Sequence, residues 1–276
     1  MSTGVASPRL ALVGSGRLAR AIIRTFPNQV QTVLVRSAAP SLPGVLDPAL
    51  ATVDPVRFAD AGMDVLWIAT ADGALARVAA MLAPLRESWK GVAVVHSSGA
   101  TSRAVLDPFA ARGARTMVLH PNGAFTGQEA ISPGLVWGIS SNDPGAAEFV
   151  LSLLHGIEPR PVMVAEEHQA LYHAAASMAS NYSVTLFAAA EELYRRAGID
   201  PAMSRDIVAR YMRESLERAA VAGAGRALTG PIVRGDEAVV RAQRDAIAAV
   251  QPSLLPLFDA FADLTRRLAA ERPDET

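Results

Sequence analysis

The first half of the chain alternates continuous apolar runs with helix-like patterns. Apolar runs predict strands at residues 10–13, 30–35, 64–69, 92–95, 117–119, 135–140 and 158–164, and helical periodicity predicts helices at 17–26, 72–85 and 144–155. Strands that are apolar on both faces are typical of a parallel sheet covered by helices. The spacing of strands and helices therefore indicates an α/β domain with a doubly wound sheet.

From about residue 166 onward the pattern changes, and only helical periodicity remains. Helices are predicted at residues 166–197, 201–221, 236–250 and 253–270, with Gly198 ending the first and Pro201 starting the second. We therefore expect two domains, an α/β domain over residues 1–164 and an all-α domain over residues 165–276.

Composition narrows the function classes. The 276 residues are enough for two modest cores, and a net charge of −1 without a long basic run argues against a nucleic-acid partner. The absence of cysteine excludes thiolate nucleophiles and cysteine-bound zinc. Charges interrupt the apolar stretches before they reach the ~20 residues that span a bilayer. We expect a cytoplasmic protein with neither a membrane nor a nucleic-acid partner.

A glycine motif follows the first strand directly and opens the first helix. The motif is Gly-x-Gly-x-x-Ala, formed by Gly14, Ser15, Gly16, Arg17, Leu18 and Ala19. Gly14 permits the tight turn, Gly16 lets the backbone approach a pyrophosphate, and Ala19 lets the helix pack closely on the strand. The amides at the helix N-terminus then face the phosphates. Because strand, turn and helix are all in place, we predict a Rossmann domain that binds a dinucleotide.

The end of the second strand indicates which dinucleotide binds. An acidic residue there would hold the ribose 2′-hydroxyl of NAD, but the chain has Arg36 and Ser37 instead. A guanidinium and a hydroxyl suit a 2′-phosphate, so NADP(H) is favoured over NAD(H). The alternative is that Arg36 is only a solvated charge at the end of the strand.

Small and polar residues follow two later strands, at the sheet edge where open α/β sheets bind their ligands. Ala69 and Thr70 follow one of these strands, and Ser97 and Ser98 follow the next. We expect all four residues to contact the cofactor.

Histidines also end two neighbouring strands. His96 and His120 are expected near the nicotinamide, where a histidine can transfer a proton close to neutral pH. Each could instead cap its strand and bond to backbone, since strand ends gather polar residues. Together with His173 they come from different elements and lack a ligand spacing such as His-x-x-x-His, so no metal site is predicted.

The predicted helix over residues 166–197 carries a polar stripe. His173, Ser177 and Asn181 are spaced i, i+4, i+8, which puts them on one helix face among small alanines. We expect this stripe to face a binding cleft, and the alternative is a core helix with a few satisfied polar residues. Farther along, Thr229 and Arg234 are candidate substrate residues, because a guanidinium there could clamp a carboxylate or phosphate.

These motifs resemble a known group of proteins. The resemblance is carried by HSSG at residues 96–99, HP at 120–121, YHAA through SN at 172–181 and LTGPIVRGD at 228–236. They are similar to the Rossmann-like two-domain family whose C-terminal domain is domain of unknown function 2520, within the 6-phosphogluconate dehydrogenase-like superfamily. That superfamily includes pyrroline-5-carboxylate reductase, ketopantoate reductase, prephenate dehydrogenase and deazaflavin-dependent NADP oxidoreductases. The resemblance implies NADP binding, a helical domain that forms a homodimer, and a substrate cleft between the two domains.

One position departs from the superfamily pattern. Its β-hydroxyacid dehydrogenases carry a lysine four residues before an asparagine on the long helix, and alignment on Asn181 puts Ser177 at that position. The usual general acid/base is therefore missing, which argues against hydroxyacid dehydrogenase activity.

We expect an NADP(H)-dependent oxidoreductase that acts on a small carbonyl or imine compound in the cleft between its domains. His120 or His173 would handle the proton, and Asn181 would orient the substrate oxygen or nitrogen. A ketopantoate-type reduction is one specific form of this hypothesis, by analogy alone. A second hypothesis is an NADPH-binding sensor or regulator without turnover, which Ser177 favours. A third has a deazaflavin as the hydride partner of NADP.

Overall fold

A single sheet organises the first half of the chain. The computed structural model describes residues 7–37 and 47–271. Its strands are β1 Leu10–Val13, β2 Val30–Leu34, β3 Ala51–Thr52, β4 Val65–Ile68, β5 Ala93–His96, β6 Arg115–Pro121, β7 Val136–Ser140 and β8 Arg160–Met163. They are hydrogen-bonded in the order β3–β2–β1–β4–β5–β6–β7–β8.

The strand order confirms the predicted doubly wound sheet. β1 pairs in parallel with β2 on one side and with β4 on the other, so the order turns at β1. The exception to parallel pairing is β7, which runs antiparallel to β6 and places Gly138 opposite His120. The apolar run of β7 could not reveal this, because a strand buried on both faces reads alike in either direction.

Helices cover the sheet and form the second half of the chain. The α-helices are α1 Arg17–Thr25, α2 Pro55–Asp60, α3 Leu75–Leu82, α4 Asp107–Ala110, α5 Ala146–Leu153, α6 Gln169–Ser177, α7 Ser183–Arg196, α8 Pro201–Ala222, α9 Ala224–Ala227, α10 Pro231–Arg234, α11 Glu237–Val250 and α12 Leu255–Ala270. The sequence pattern did not predict β3, α2, α4, α9 and α10, because runs this short carry too little periodicity to be recognised. None of the helices in the described ranges is long and apolar enough to cross a membrane.

Two apolar layers enclose the sheet. Along β1, Leu10 and Leu12 belong to one layer, and Ala11 and Val13 belong to the other. Side chains alternate between the faces of a strand, so a strand covered on both sides is apolar at every position. This is the physical origin of the continuous apolar runs in the first half of the sequence.

The chain divides into two compact units, Met1–Ser177 and Met178–Thr276. The first unit carries the whole sheet and α1 to α6, and the second consists of helices, as predicted. The predicted boundary at residues 164 and 165 falls before α6, whereas this division falls after it. The functional domain bounds stay a prediction.

The long helix predicted over residues 166–197 is interrupted. α6 ends at Ser177, a π-helical turn occupies Met178–Tyr182, and α7 begins at Ser183. A π-helical turn has i→i+5 hydrogen bonds and therefore a different register from an α-helix. The predicted i, i+4 spacing holds from His173 to Ser177, but the assumed α-helical register does not extend to Asn181.

One buried histidine holds the loop that follows β5. His96 is 0% exposed. Its Nδ1 accepts a hydrogen bond from the Ser98 backbone N–H at 3.2 Å, and its Nε2 lies 3.4 Å from the Ser102 carbonyl oxygen. Burial lowers the pKa of His96 to about 4, against smaller opposing effects of the Ser102 contact and the Asp72 charge. His96 is therefore neutral at neutral pH and bonds to backbone.

We expect the free energy of unfolding to decrease as the pH falls from about 6.5 to about 4, the ordinary and the folded-state pKa of His96. In this window the unfolded chain binds more protons than the folded one, so the stability present above the window is lost through it. The loss from His96 alone is roughly 3 kcal/mol. Urea unfolding measured at several pH values tests this, and His96→Gln should flatten the dependence. An equal pH dependence in the two proteins would contradict the prediction.

Candidate functional site

A pocket opens at the carboxyl ends of β1, β2 and β4, where the strand order turns. Its volume is about 800 Å³. Its lining includes Gly14, Ser15, Gly16, Val35, Arg36, Ala69, Thr70 and Arg77. Open α/β sheets bind their ligands at this switch point. Several residues predicted to bind the cofactor are therefore brought together here.

The turn after β1 requires glycine. Gly14 has a φ of +120°, and a Cβ added to it would lie 2.5 Å from the Ala69 carbonyl oxygen. The Gly14 N–H donates to the Leu34 carbonyl oxygen at 3.0 Å, which ties the turn to β2. A side chain at this position would meet both an unfavourable backbone conformation and a clash with Ala69, the residue that follows β4.

The start of α1 presents open backbone to the pocket. Gly16 is the N-cap residue without a side-chain cap, and a Cβ added to it would meet no atom within 4 Å. Arg17 and Leu18 form the first turn of α1, and Ala19 is fully buried in the core. The unsatisfied amides of such a helix start can bind an anion.

Cations and apolar side chains line the pocket together. Arg36 lines the pocket, and Arg77 of α3 joins it beside Val53 and Met81. Sequence reasoning missed Arg77, because one arginine on an amphipathic helix is indistinguishable from a solvated charge. Ser37 is not among the lining residues. The pocket can therefore accept a flat apolar group that carries negative charge.

One hydroxyl in the pocket has no partner. Thr70 lines the pocket directly after Ala69, and in the described part of the chain its buried Oγ1 has no hydrogen-bond partner. An unsatisfied buried polar group costs about 1–3 kcal/mol. A bound ligand could satisfy it, so the residues present fit a dinucleotide at this place.

The hydroxyls of Ser97 and Ser98 are already engaged. Ser97 Oγ accepts a hydrogen bond from Trp67 Nε1 at 2.7 Å. Ser98 Oγ accepts from the backbone N–H groups of Ala100 and Thr101 at 3.2 and 3.0 Å. Neither serine is among the residues that line the pocket. Their contacts with the cofactor stay a prediction.

A second polar cluster surrounds the end of β6. His120 Nδ1 lies 3.3 Å from the Tyr172 hydroxyl oxygen, and Asn122 Nδ2 donates a hydrogen bond to the same oxygen. Burial lowers the pKa of His120 to about 4, the nearby His173 lowers it further, and the Asp72 charge opposes this. His120 is therefore neutral at neutral pH.

Two glycines let α6 approach the loop after β5 and the middle of β7. A Cβ on Gly99 would overlap His173 Nδ1 and lie 2.8 Å from His120 Nε2. A Cβ on Gly138 would overlap the Tyr172 hydroxyl and lie 2.6 Å from its Cζ. Both imidazole rings and the phenol thus pack directly against backbone.

Gln169 fastens the start of α6 to the loop after β5. Its buried side chain donates through Nε2 to the Thr101 carbonyl oxygen at 2.7 Å and lies 3.4 Å from the Ser98 carbonyl oxygen. The next turn of the helix then brings His173 to the site, where its buried Nδ1 has no partner among the described residues. An unpartnered buried nitrogen is available to a ligand.

The site thus contains two predicted histidines and two residues that sequence reasoning missed. His120 and His173 meet, with ring centroids 5.7 Å apart, whereas His96 bonds to backbone. Asn122 and Tyr172 escaped notice although both lie beside the histidine motifs, because their contact joins residues far apart in the chain. Within the described ranges, no group of three or more His, Cys, Asp or Glu side chains could hold a metal ion.

The remaining predicted residues lie at the end of the first unit or in the second. Ser177 is the last residue of α6, and Asn181 is exposed in the π-helical turn. Thr229 lies between α9 and α10, and Arg234 pairs with Asp236 at 2.9 Å. The roles of these residues in catalysis or substrate binding stay predictions.

Solved structures share this fold over nearly the whole chain. A proposed NADP oxidoreductase from Bacteroides fragilis has a TM-score of 0.74 and 18% identity, covering 95% of this chain and 98% of its own. A reductive aminase from Aspergillus terreus in complex with NADPH and ethyl levulinate has a TM-score of 0.67 and 19% identity, covering 96% and 95%. A pyrroline-5-carboxylate reductase from Coxiella burnetii has a TM-score of 0.59 and 16% identity, covering 95% and 99%. At such identities the likeness establishes the fold.

Family models match both parts of the chain. The model described as a Rossmann-like domain matches residues 5–121, and the model described as Domain of unknown function (DUF2520) matches residues 135–265. Among curated proteins, no match to the chain is found. The two matches confirm the family that the sequence motifs resemble: the chain belongs to the proteins that join a Rossmann-like domain to a DUF2520 domain.

Proposed function

We propose that this protein is an NADP(H)-dependent oxidoreductase acting on a small carbonyl or imine compound. The observation that carries the proposal is the pocket at the ends of β1, β2 and β4. Its glycine turn, the open start of α1 and the unpartnered Thr70 hydroxyl converge there. A dinucleotide pyrophosphate needs this combination of close backbone approach and free N–H donors.

Arg36 and Arg77 would bind the 2′-phosphate that distinguishes NADP(H) from NAD(H). Both line the pocket, and no carboxylate is found among the described lining residues. Guanidinium groups bind phosphate through paired, charge-assisted hydrogen bonds. Val53 and Met81 supply an apolar wall for the adenine ring. The preference for NADP(H) follows from the two arginines and from the lack of a carboxylate among the described lining residues.

The polar cluster at the end of β6 would transfer one proton to or from the substrate. When bound, the nicotinamide supplies or accepts a hydride. His120 and His173 are the candidates to handle the proton, because their ring nitrogens converge on Gly99. A neutral imidazole such as His120 can also polarise a carbonyl or imine through its N–H group. Asn181 would orient the substrate, as predicted from the sequence.

Relatives by fold support the class of substrate. The similar structures include a reductive aminase and a pyrroline-5-carboxylate reductase, which supports a reductase of small molecules. Serine at position 177 cannot act as the general base that lysine supplies, so hydroxyacid dehydrogenation is not proposed. NADPH binding without turnover of any carbonyl or imine compound, ketopantoate included, would favour the sensor hypothesis instead. The cytoplasmic location and the wider 6-phosphogluconate dehydrogenase-like membership stay predictions.

Cofactor preference is testable by calorimetry. We expect Arg36→Ala and Arg77→Ala each to raise the Kd for NADPH by about 10- to 100-fold, because each removes a charged contact to the 2′-phosphate. The Kd for NADH should change little. The control is Arg57→Ala, an exposed arginine of α2 that does not line the pocket. If the unaltered protein binds neither NADPH nor NADH, the proposed function fails.

Turnover is testable by following NADPH oxidation with a panel of carbonyl and imine compounds. We expect His120→Ala and His173→Ala to lower kcat by about 10²- to 10⁴-fold, the usual contribution of a positioned proton-transfer group. The Kd for NADPH should stay within a few-fold. His155→Ala, which changes an exposed histidine outside the cluster, is the control. If His120→Ala, His173→Ala and Asn181→Ala all retain full activity, the site is assigned to the wrong residues.

A homodimer is proposed for the second unit. Its helices expose large apolar side chains, among them Val184, Tyr211, Leu216 and Val221, the last 89% exposed. Exposed apolar surface of this kind marks a protein interface, and identical subunits are its commonest partner.

Sedimentation equilibrium is expected to detect the dimer, and Leu216→Arg should weaken it at least about tenfold, because an arginine would be buried without a partner. Leu151→Arg, on a half-exposed position of α5 in the first unit, should not. A monomer at every concentration would refute the dimer and leave the cofactor proposal intact.

A further inference from the structure

A chain of hydrogen bonds lies at the end of β6, and Asn122 is its first donor. The Asn122 backbone N–H donates to the Val136 carbonyl oxygen at 2.9 Å, and its side-chain Nδ2 lies 3.4 Å from the same oxygen. A carbonyl oxygen only accepts hydrogen bonds, so the side-chain atom that faces it is the amide nitrogen. That nitrogen also donates to the Tyr172 hydroxyl oxygen.

The Tyr172 proton is directed at His120. A hydroxyl oxygen that accepts from Asn122 still has its own proton to donate. In the part of the chain that the structure describes, His120 Nδ1, at 3.3 Å, is the acceptor that this hydroxyl reaches. In a neutral imidazole one ring nitrogen accepts and the other carries the proton. A proton donated by Tyr172 to Nδ1 would therefore leave the ring's own proton on Nε2.

The surroundings keep this arrangement in place. The rings of His120 and Tyr172 meet edge to face with centroids 5.5 Å apart, and Gly138 leaves room for the hydroxyl. Burial raises the pKa of the Tyr172 phenol, against the opposing hydrogen bonds from the Asn122 side chain and the Gly138 backbone, so the phenol keeps its proton. The other titratable groups that face His120 are His173 of α6 and Asp72 after β4.

We propose that Tyr172 is a positioning residue that fixes His120 in the tautomer with the proton on Nε2. His120 Nε2 is the ring atom on the side of Gly99 and His173. The consequence for catalysis rests on the proposed function: the Nε2–H group is the donor offered to the substrate oxygen or nitrogen. Tyr172 acts through His120 and need not touch the substrate.

The tautomer can be read from long-range ¹H–¹⁵N correlation spectra of the imidazoles. The full ¹⁵N-labelled chain is measured at neutral pH without cofactor, and its five histidines are few enough to assign by single substitutions. In the unaltered protein we expect a protonated Nε2 and a bare Nδ1 at His120. In Tyr172→Phe the bare nitrogen loses its donor, so the His120 nitrogen shifts should move toward the average of the two tautomers.

A second variant reverses the chain without removing the phenol. In Asn122→Asp the carboxylate accepts the Tyr172 proton, which turns the hydroxyl away from His120, so the His120 shifts should move as in Tyr172→Phe. His96 is the internal control, because its Nδ1 accepts from the Ser98 N–H and its tautomer should not change. Tyr182→Phe, at a 62% exposed tyrosine, should leave His120 unaltered.

A proton on Nδ1 of His120 in the unaltered protein would overturn the proposal. An unchanged His120 in Tyr172→Phe would do the same while His96 keeps its shifts. If Tyr172→Phe also disturbs His96, the Asn122→Asp spectrum decides. Moved His120 shifts in that variant support the proposal, and unchanged shifts overturn it. The measurement needs no cofactor, so a failure to bind NADPH would remove the proposed function and leave the tautomer result standing.

Discussion

The close contact of α6 with the loop after β5, the end of β6 and the middle of β7 is the constraint on which the candidate site depends. It exists because Gly99 and Gly138 have no side chains, and a Cβ on either would overlap a ring atom of α6. Gln169 secures the start of the helix through two backbone carbonyl groups. The Tyr172 hydroxyl then reaches Asn122 and His120, and the His173 ring packs beside the His120 ring. Residues larger than glycine at positions 99 and 138 would fill this space.

The segment that follows β4 links the two parts of the site. Thr70 lines the pocket at the switch point, and two residues later the Asp72 charge raises the pKa of both His96 and His120 against the effect of burial. The pocket and the histidine cluster therefore lie at the same edge of one sheet. This is the arrangement that a hydride carrier and a proton donor require, since both must reach one substrate atom.

Hydrogen-bond partners, rather than burial or sequence context, distinguish the roles of His96 and His120. His96 and His120 both end strands and both have a pKa of about 4. Both ring nitrogens of His96 contact backbone groups, so His96 stabilises the loop after β5. His120 instead has a side-chain partner at Nδ1 and turns Nε2 toward Gly99 and His173. Histidines near the ends of two neighbouring strands therefore give one structural and one candidate functional imidazole.

The sequence alone predicted the features that depend on residues close together in the chain. Burial of β1 on both faces makes it continuously apolar, and the Gly14 to Ala19 turn is specified by local backbone conformation, so both were readable, as was Arg36 at the end of β2. The sequence did not predict the antiparallel direction of β7, the place of Arg77 in the pocket or the hydrogen bonds that join Asn122, Tyr172 and His120. Each of these depends on contacts between residues far apart in the sequence, and such contacts exist only once the sheet has brought its strand ends together.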